Sequence, residues 1–125
     1  MRRAIHYWAP LAAWMLVIFA FSSQPHVPYQ EDVSDWLSHP FVYMVLAVLA
    51  SRAFAPEAAP TRRLAVAVFV FCLAYGLSDE WHQSFVPGRH ADPWDVLKDG
   101  IGSAVGIAIH RAWSRRLTPG EAQPS

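Results

Sequence analysis

The chain has 125 residues, is 54% hydrophobic and only 16% charged, and balances ten basic against ten acidic residues for a net charge of zero. The length allows one domain. The charged share falls well short of the roughly 25% of an ordinary soluble domain, which points to lipid as the solvent, and zero net charge gives no bulk signal for nucleic acid. The single cysteine, Cys72, lies inside an apolar run. An intrachain disulfide and a cysteine-based zinc site are therefore excluded, and a small packing residue is the plain reading.

Four apolar segments follow in chain order. The first covers residues 7–23 (YWAPLAAWMLVIFAFSS), the second 37–54, the third 64–85 and the fourth 94–113. A membrane-spanning helix needs about 17–25 largely apolar residues. The first and third segments meet this cleanly. The second is short and starts with His39 and Pro40, and the fourth has Asp95, Lys98 and Asp99 in its first turns. Arg2 and Arg3 precede the first segment as in a secretory signal, but no convincing small-x-small cleavage site follows Phe21. The tail of residues 118–125 (TPGEAQPS) is polar and is expected to be disordered, leaving 1–117 as the membrane domain.

The connections are short, so their charges set orientation. Arg2 and Arg3 lie before the first segment, the second connection carries Arg52, Arg62 and Arg63 against one Glu57, and Arg111, Arg115 and Arg116 end the fourth segment. The first connection carries Glu31, Asp32 and Asp35 without a basic residue, and the third carries Asp79, Glu80, Asp92 and Asp95 against Arg89. The expected fold is an all-α integral membrane bundle of four transmembrane helices with both termini inside. Trp8 and Trp113 then fall near the inner boundary and Trp36, Trp81 and Trp94 near the outer one, as in an aromatic belt. Trp14, mid-segment, packs or faces lipid.

Orientation collects the unusual polar residues at the outer face. Helical spacing of four, seven and eleven residues places Asp35, His39, Tyr43, Leu46 and Ala50 on one face of the second segment. It does the same for Cys72, Gly76, Asp79 and Gln83 on the third, and for Asp95, Asp99, Gly102 and Gly106 on the fourth. A charge facing lipid costs roughly 2.5–3.5 kcal/mol at a helix centre, so these stripes are expected to face one another. Gly102 and Gly106 form G-x-x-x-G, which admits a close helix neighbour. The result is a shallow pocket with a polar mouth.

Several chemistries are open to these residues. Asp79 and Glu80 can act as a base, bind a ligand, or pair with Arg89 as a polar cap. Arg89 follows the turn-forming Pro87-Gly88, and its fork suits a phosphate or a carboxylate, as well as a structural bond to Asp79, Glu80 or Asp95. His39, His82 and His90 are metal-ligand types, but there is no H-E-x-x-H and no tight ligand spacing, so neither metal nor cofactor is expected. An acid/base pair with an arginine can process a lipid phosphate, but no nucleophile is marked, since Ser78 and Ser84 are ordinary helix-end serines. The negative charge of Asp99 is favoured near a helix N-terminus even without a ligand.

The motifs together resemble the VanZ-like family of small bacterial membrane proteins over roughly residues 15–110. "FSSQ" ends the first segment, and "DWLSHPFVYMVL" repeats the family's Asp, then His four residues later, then Tyr and Leu. "SDEWHQSFVPGR" is similar to Asp-Glu-x-x-Gln-x-Phe followed by arginine, and "DVLKDGIGSAVG" to Asp-x-x-x-Asn-x-x-Gly-x-x-x-Gly. Asp99 stands where the family usually has Asn, which adds a charge to the pocket. Founding members are associated with teicoplanin resistance without an established mechanism, so the resemblance implies the bundle and its outward cluster but no reaction. The expected function is that of an inner-membrane protein embedded in the lipid bilayer. Its candidate binding residues are His39, Asp79, Glu80, Gln83, Arg89, Asp95 and Asp99, and its expected ligand is an anionic lipid-linked precursor or a glycopeptide. A hydrolase or transferase acting on a lipid phosphate and a purely structural subunit are the alternatives.

Overall fold

The computed structural model describes residues 1–23, 33–56, 59–88 and 92–117, with side chains from residue 38 onward in the second of these stretches. Among the described residues the protein is all-helical: α1 Arg2–Ser22, α2 Val33–Phe54, α3 Arg62–Gln83 and α4 Pro93–Leu117. Each helix coincides with one apolar segment of the sequence. α1 starts at Arg2 rather than at residue 7, because nothing before Pro10 breaks a helix. α4 runs on to Leu117, where Arg115 and Arg116 lie in the last turn and meet the negative end of the helix dipole. The tail from residue 118 lies outside the described residues.

Local chemistry sets the other ends. Thr61 caps α3, its hydroxyl accepting the Leu64 N–H at 3.3 Å. Asp92 precedes Pro93 and accepts the Trp94 N–H at 3.0 Å, so Asp and Pro occupy the cap and first-turn positions that suit them. After α3 the chain turns through Pro87 and Gly88, and Gly88 has a φ of 80° that a side chain would resist. Pro10 and Pro40 stand inside α1 and α2 and each removes one helical donor.

Contacts fix an up-down-up-down arrangement, with α1 parallel to α3, α2 parallel to α4 and chain neighbours antiparallel. The end of α1 meets the end of α3 through Ser22 and Asp79, and the start of α2 meets the start of α4 through His39 and Asp99. At the opposite end the Arg52 guanidinium lies 5.7 Å over the Tyr7 ring, and Trp8 packs against Phe54. α2 and α4 share the most extensive interface, while α1 packs on α2 and α3 and, among the described residues, does not touch α4. The core holds Leu11, Tyr43, Leu46, Ala50, Val68, Cys72 and Ile107, with Cys72 free and fully buried. Two bonds to backbone tie α1 in: Trp14 Nε1 donates to Val42 O at 3.0 Å, and Tyr75 OH donates to Met15 O at 2.6 Å. Trp14 is thus a packing residue.

The close approach of α4 to α2 depends on glycine. A Cβ on Gly102 would strike the Pro40 carbonyl, and one on Gly106 would strike the Met44 carbonyl and stand 3.0 Å from the Ala47 Cβ. The G-x-x-x-G stripe is therefore the surface on which α2 lies.

The outside of the bundle is apolar and part of its inside is polar. Leu16, Phe19, Phe21, Val66, Val70, Ile101, Val105 and Ile109 are exposed, whereas Asp79, Glu80, Gln83, Asp99 and Ser103 are buried. α1 and α3 are each long and apolar enough to cross a membrane, and only 11% and 33% of their apolar windows are buried. A core helix of a soluble protein would be mostly buried. α2 offers a shorter apolar stretch, Ser38–Phe54, and the polar start of α4 shortens its apolar length in the same way.

Two substitutions check this packing. Gly102→Ala should cost about 1–3 kcal/mol in thermal or denaturant unfolding, because backbone cannot move aside. Gly100→Ala should be nearly neutral, since its Cβ meets side-chain ends alone, Leu73 Cδ2 at 3.2 Å and Phe69 Cζ at 3.9 Å. Removing the α3 cap by Thr61→Ala should lower stability by about 1 kcal/mol in the same assay.

Candidate functional site

The ends of α1 and α3 and the starts of α2 and α4 enclose a polar cluster. On its α1 side Ser22 donates its hydroxyl to Asp79 Oδ1, and Gln83 Nε2 donates to Ser22 Oγ at 3.0 Å. Asp79 and Gln83 reach the same hydroxyl because they lie one turn apart on α3. All three residues are buried. Next to them Ser23 Oγ lies 2.9 Å from His82 Nε2, and the His82 ring stacks on Phe19 with centroids 4.5 Å apart. His82 thus faces α1.

On the α4 side His39 Nδ1 lies 3.1 Å from Asp99 Oδ1. His39 Nε2 points towards Asp95 Oδ2 at 4.0 Å, and Lys98 Nζ binds Asp95 Oδ1 at 3.3 Å. Asp95 and Asp99 are one turn apart on α4 and hold the imidazole between them. Asp99 lies in the second turn of α4, beyond the reach of the helix dipole, and the imidazole rather than the helix end is its partner. The Ser103 hydroxyl donates to the Asp99 carbonyl at 2.7 Å and satisfies the backbone below it.

Glu80 joins the two sides. Its Oε2 accepts the Asp92 N–H at 2.9 Å just ahead of α4, and it lies within electrostatic reach of His39, Asp95 and Asp99. A carboxylate is well placed at a helix N-terminus, whose first N–H groups lack helical partners. Deeper in, Asp99 Oδ2 stands 3.0 Å and Tyr43 Cε1 3.5 Å from where a Cβ on Gly76 would be. The small residue in the α3 stripe thus makes room for an acid of α4 and a tyrosine of α2. Three buried oxygens of this region, Tyr43 Oη, Glu80 Oε1 and Asp99 Oδ2, have no hydrogen-bond partner among the described residues.

The structure brings together His39, Asp79, Glu80, Gln83, Asp95 and Asp99 at one end of the bundle. Gly102 and Gly106 lie below them at the α2–α4 interface. Arg89 and His90 lie outside the described residues, as does the side chain of Asp35. Among the described residues no three His, Cys, Asp or Glu side chains stand close enough to hold a metal ion. Three contributors escape the sequence reading. Ser22 is the hydroxyl partner of Asp79, the Asp92 backbone holds Glu80, and Tyr43 brings a buried hydroxyl rather than mere bulk. Ser22 carried a signal as a polar residue closing an apolar segment within "FSSQ", and Tyr43 as a member of the stripe on the second segment.

No curated protein and no solved structure matches the chain. A model of the VanZ/LLP1 family matches residues 7–114, reaching into all four helices and taking in the whole of the polar cluster, so the chain belongs to the VanZ/LLP1 family.

Proposed function

We propose that this member of the VanZ/LLP1 family is a multi-pass protein of the bacterial inner membrane whose polar cluster faces outward and binds an envelope component. Family membership and two membrane-competent helices point to a membrane protein. The reading goes further, to four spans with both termini in the cytoplasm. In its support, Arg52, Arg115 and Arg116 lie in the last turns of α2 and α4, at the end of the bundle away from the acids. The observation that carries the binding role is the burial of Asp79, Glu80 and Asp99 in a bundle clad in apolar side chains. Ionisable groups in such a place are expensive and default to function.

On this reading the ligand is an anionic lipid-linked precursor or a glycopeptide, and binding it links the protein to envelope or antibiotic tolerance. Arg89, in the connection between α3 and α4, meets the anionic group. His39, Asp79, Glu80, Gln83, Asp95 and Asp99 orient that arginine and shape the mouth. The Asp99–His39 pair also favours a second reading, a hydrolase or transferase acting on a lipid phosphate, because a carboxylate-held imidazole is a competent general base.

Three outcomes are expected. In a Cys72→Ser background, a membrane-impermeant maleimide should label Ser84→Cys in spheroplasts and label Arg116→Cys only after permeabilisation; the reverse pattern removes the outward orientation. Arg89→Ala should weaken binding of phosphatidylglycerol or teicoplanin to the nanodisc-embedded protein by about tenfold or more, the scale of one charge-assisted hydrogen bond. Unchanged binding in a correctly inserted Arg89→Ala protein removes the anion role. The enzymatic reading requires turnover of a lipid phosphate that His39→Ala abolishes, and no turnover across a panel of lipid phosphates discards it.

A further inference from the structure

The described part of the cluster is short of donors. On the α4 side Asp95 and Asp99 share His39, and Asp95 also binds Lys98, while Glu80 takes the Asp92 backbone N–H through one oxygen only. Asp99 and Tyr43 are each 1% exposed and Glu80 is 7% exposed, and all three keep an oxygen without a hydrogen-bond partner among the described residues. A buried acceptor left unpaired costs about 1–3 kcal/mol, and more when charged. Three such atoms within one region mark a place shaped for something that donates.

Their placement narrows what that is. Gly76 and Glu80 are four apart on α3, which sets their Cβ positions about 5–6 Å from each other. Asp99 Oδ2 lies against Gly76, on the face that Glu80 shares. Glu80 and Asp99 lie within electrostatic reach of each other, so one cation between them serves both. A primary ammonium also carries three N–H donors, while a quaternary ammonium carries none. The way in is at the rim, where the His39 and Asp95 side chains are 16% and 17% exposed.

We propose that Glu80 and Asp99, with Tyr43 beside them, form a subsite for the protonated primary amine of the bound molecule. The proposal rests on the reading that the cluster is a ligand site, and it names the group that the carboxylates take. An aminophospholipid headgroup and a soluble amine share this chemistry.

The test uses the full chain in phosphatidylcholine nanodiscs, read by thermal unfolding and tryptophan fluorescence. Ethanolamine is titrated from solution, with choline as the donor-free control, and in separate discs phosphatidylethanolamine replaces part of the phosphatidylcholine. A response to ethanolamine identifies a soluble source, and a response to phosphatidylethanolamine discs alone identifies the lipid; either supports the subsite. The response should weaken by about tenfold or more in Glu80→Gln and in Asp99→Asn, the scale of one charge-assisted hydrogen bond. Glu80→Gln, nearer the helix end, keeps the test decisive if Asp99→Asn fails to fold. Gly76→Ala, which puts a methyl 3.0 Å from Asp99 Oδ2, should reduce the response as well. Equal behaviour of ethanolamine and choline together with equal behaviour of the two lipids overturns the proposal, as does an undiminished response in the folded variants. If phosphatidylglycerol or teicoplanin still binds in that case, the cluster remains a ligand site but not an amine site. If no probe binds, both readings fall.

Discussion

The seating of α4 on α2 through Gly102 and Gly106 is the constraint on which the rest of the structure depends. The Pro40 and Met44 carbonyls lie where side chains on those two glycines would be. That contact sets the separation of the helices and therefore what meets one turn higher. His39 precedes Pro40 on α2, and Asp99 lies three residues before Gly102 on α4. When the glycines seat, the imidazole and the carboxylate arrive at 3.1 Å. Gly76 plays the matching part on α3, giving Asp99 Oδ2 and the Tyr43 ring room beneath the cluster. Small residues low in the bundle and ionisable residues above them are two halves of one device.

This arrangement is costly unless it serves a purpose. Hydrophobic burial would favour apolar residues at these positions, and replacing buried polar groups with well-packed apolar ones is often neutral or stabilising. Here the cluster holds acids on α3 and α4, tied by hydroxyls, an imidazole and a backbone N–H, while the outer surface presents Phe, Ile, Leu and Val. Ser22 binds Asp79 and Gln83 binds Ser22, whereas among the described residues Glu80 Oε1 and Asp99 Oδ2 stay without donors. A cluster built only to tie helix ends together would be expected to complete its bonds. Unpaired acceptors beside a half-open rim fit a site that binds.

The four helices were legible in the sequence because apolar length and helical spacing are one-dimensional signals. The stripe Cys72, Gly76, Asp79, Gln83 is buried, and so are Tyr43, Leu46 and Ala50 of α2 and Asp99 and Gly102 of α4. What periodicity within one helix cannot convey is which residue of another helix completes a bond. Glu80 stands beside Asp79 rather than on its stripe, yet it is buried, because the Asp92 N–H ahead of α4 reaches over it. Ser22 looked like the polar end of an apolar segment until α1 and α3 met. His82, one residue from the stripe, turns instead to Ser23 and Phe19. Arg89, the cation most prominent in the sequence reading, lies in the connection outside the described residues.

If the cluster is kept for a ligand, its acids weaken the ligand-free protein; if it is kept for the fold, they hold it together. The most direct measurement is therefore the unfolding temperature of Asp99→Asn against the parent protein, in detergent without added lipid or amine. Asn retains an oxygen for His39 and removes the charge on a buried carboxylate whose second oxygen has no donor among the described residues. The account predicts an unfolding temperature equal to or above that of the parent. A fall of many degrees would contradict it, because Asp99 would then be one half of a structural ion pair with His39.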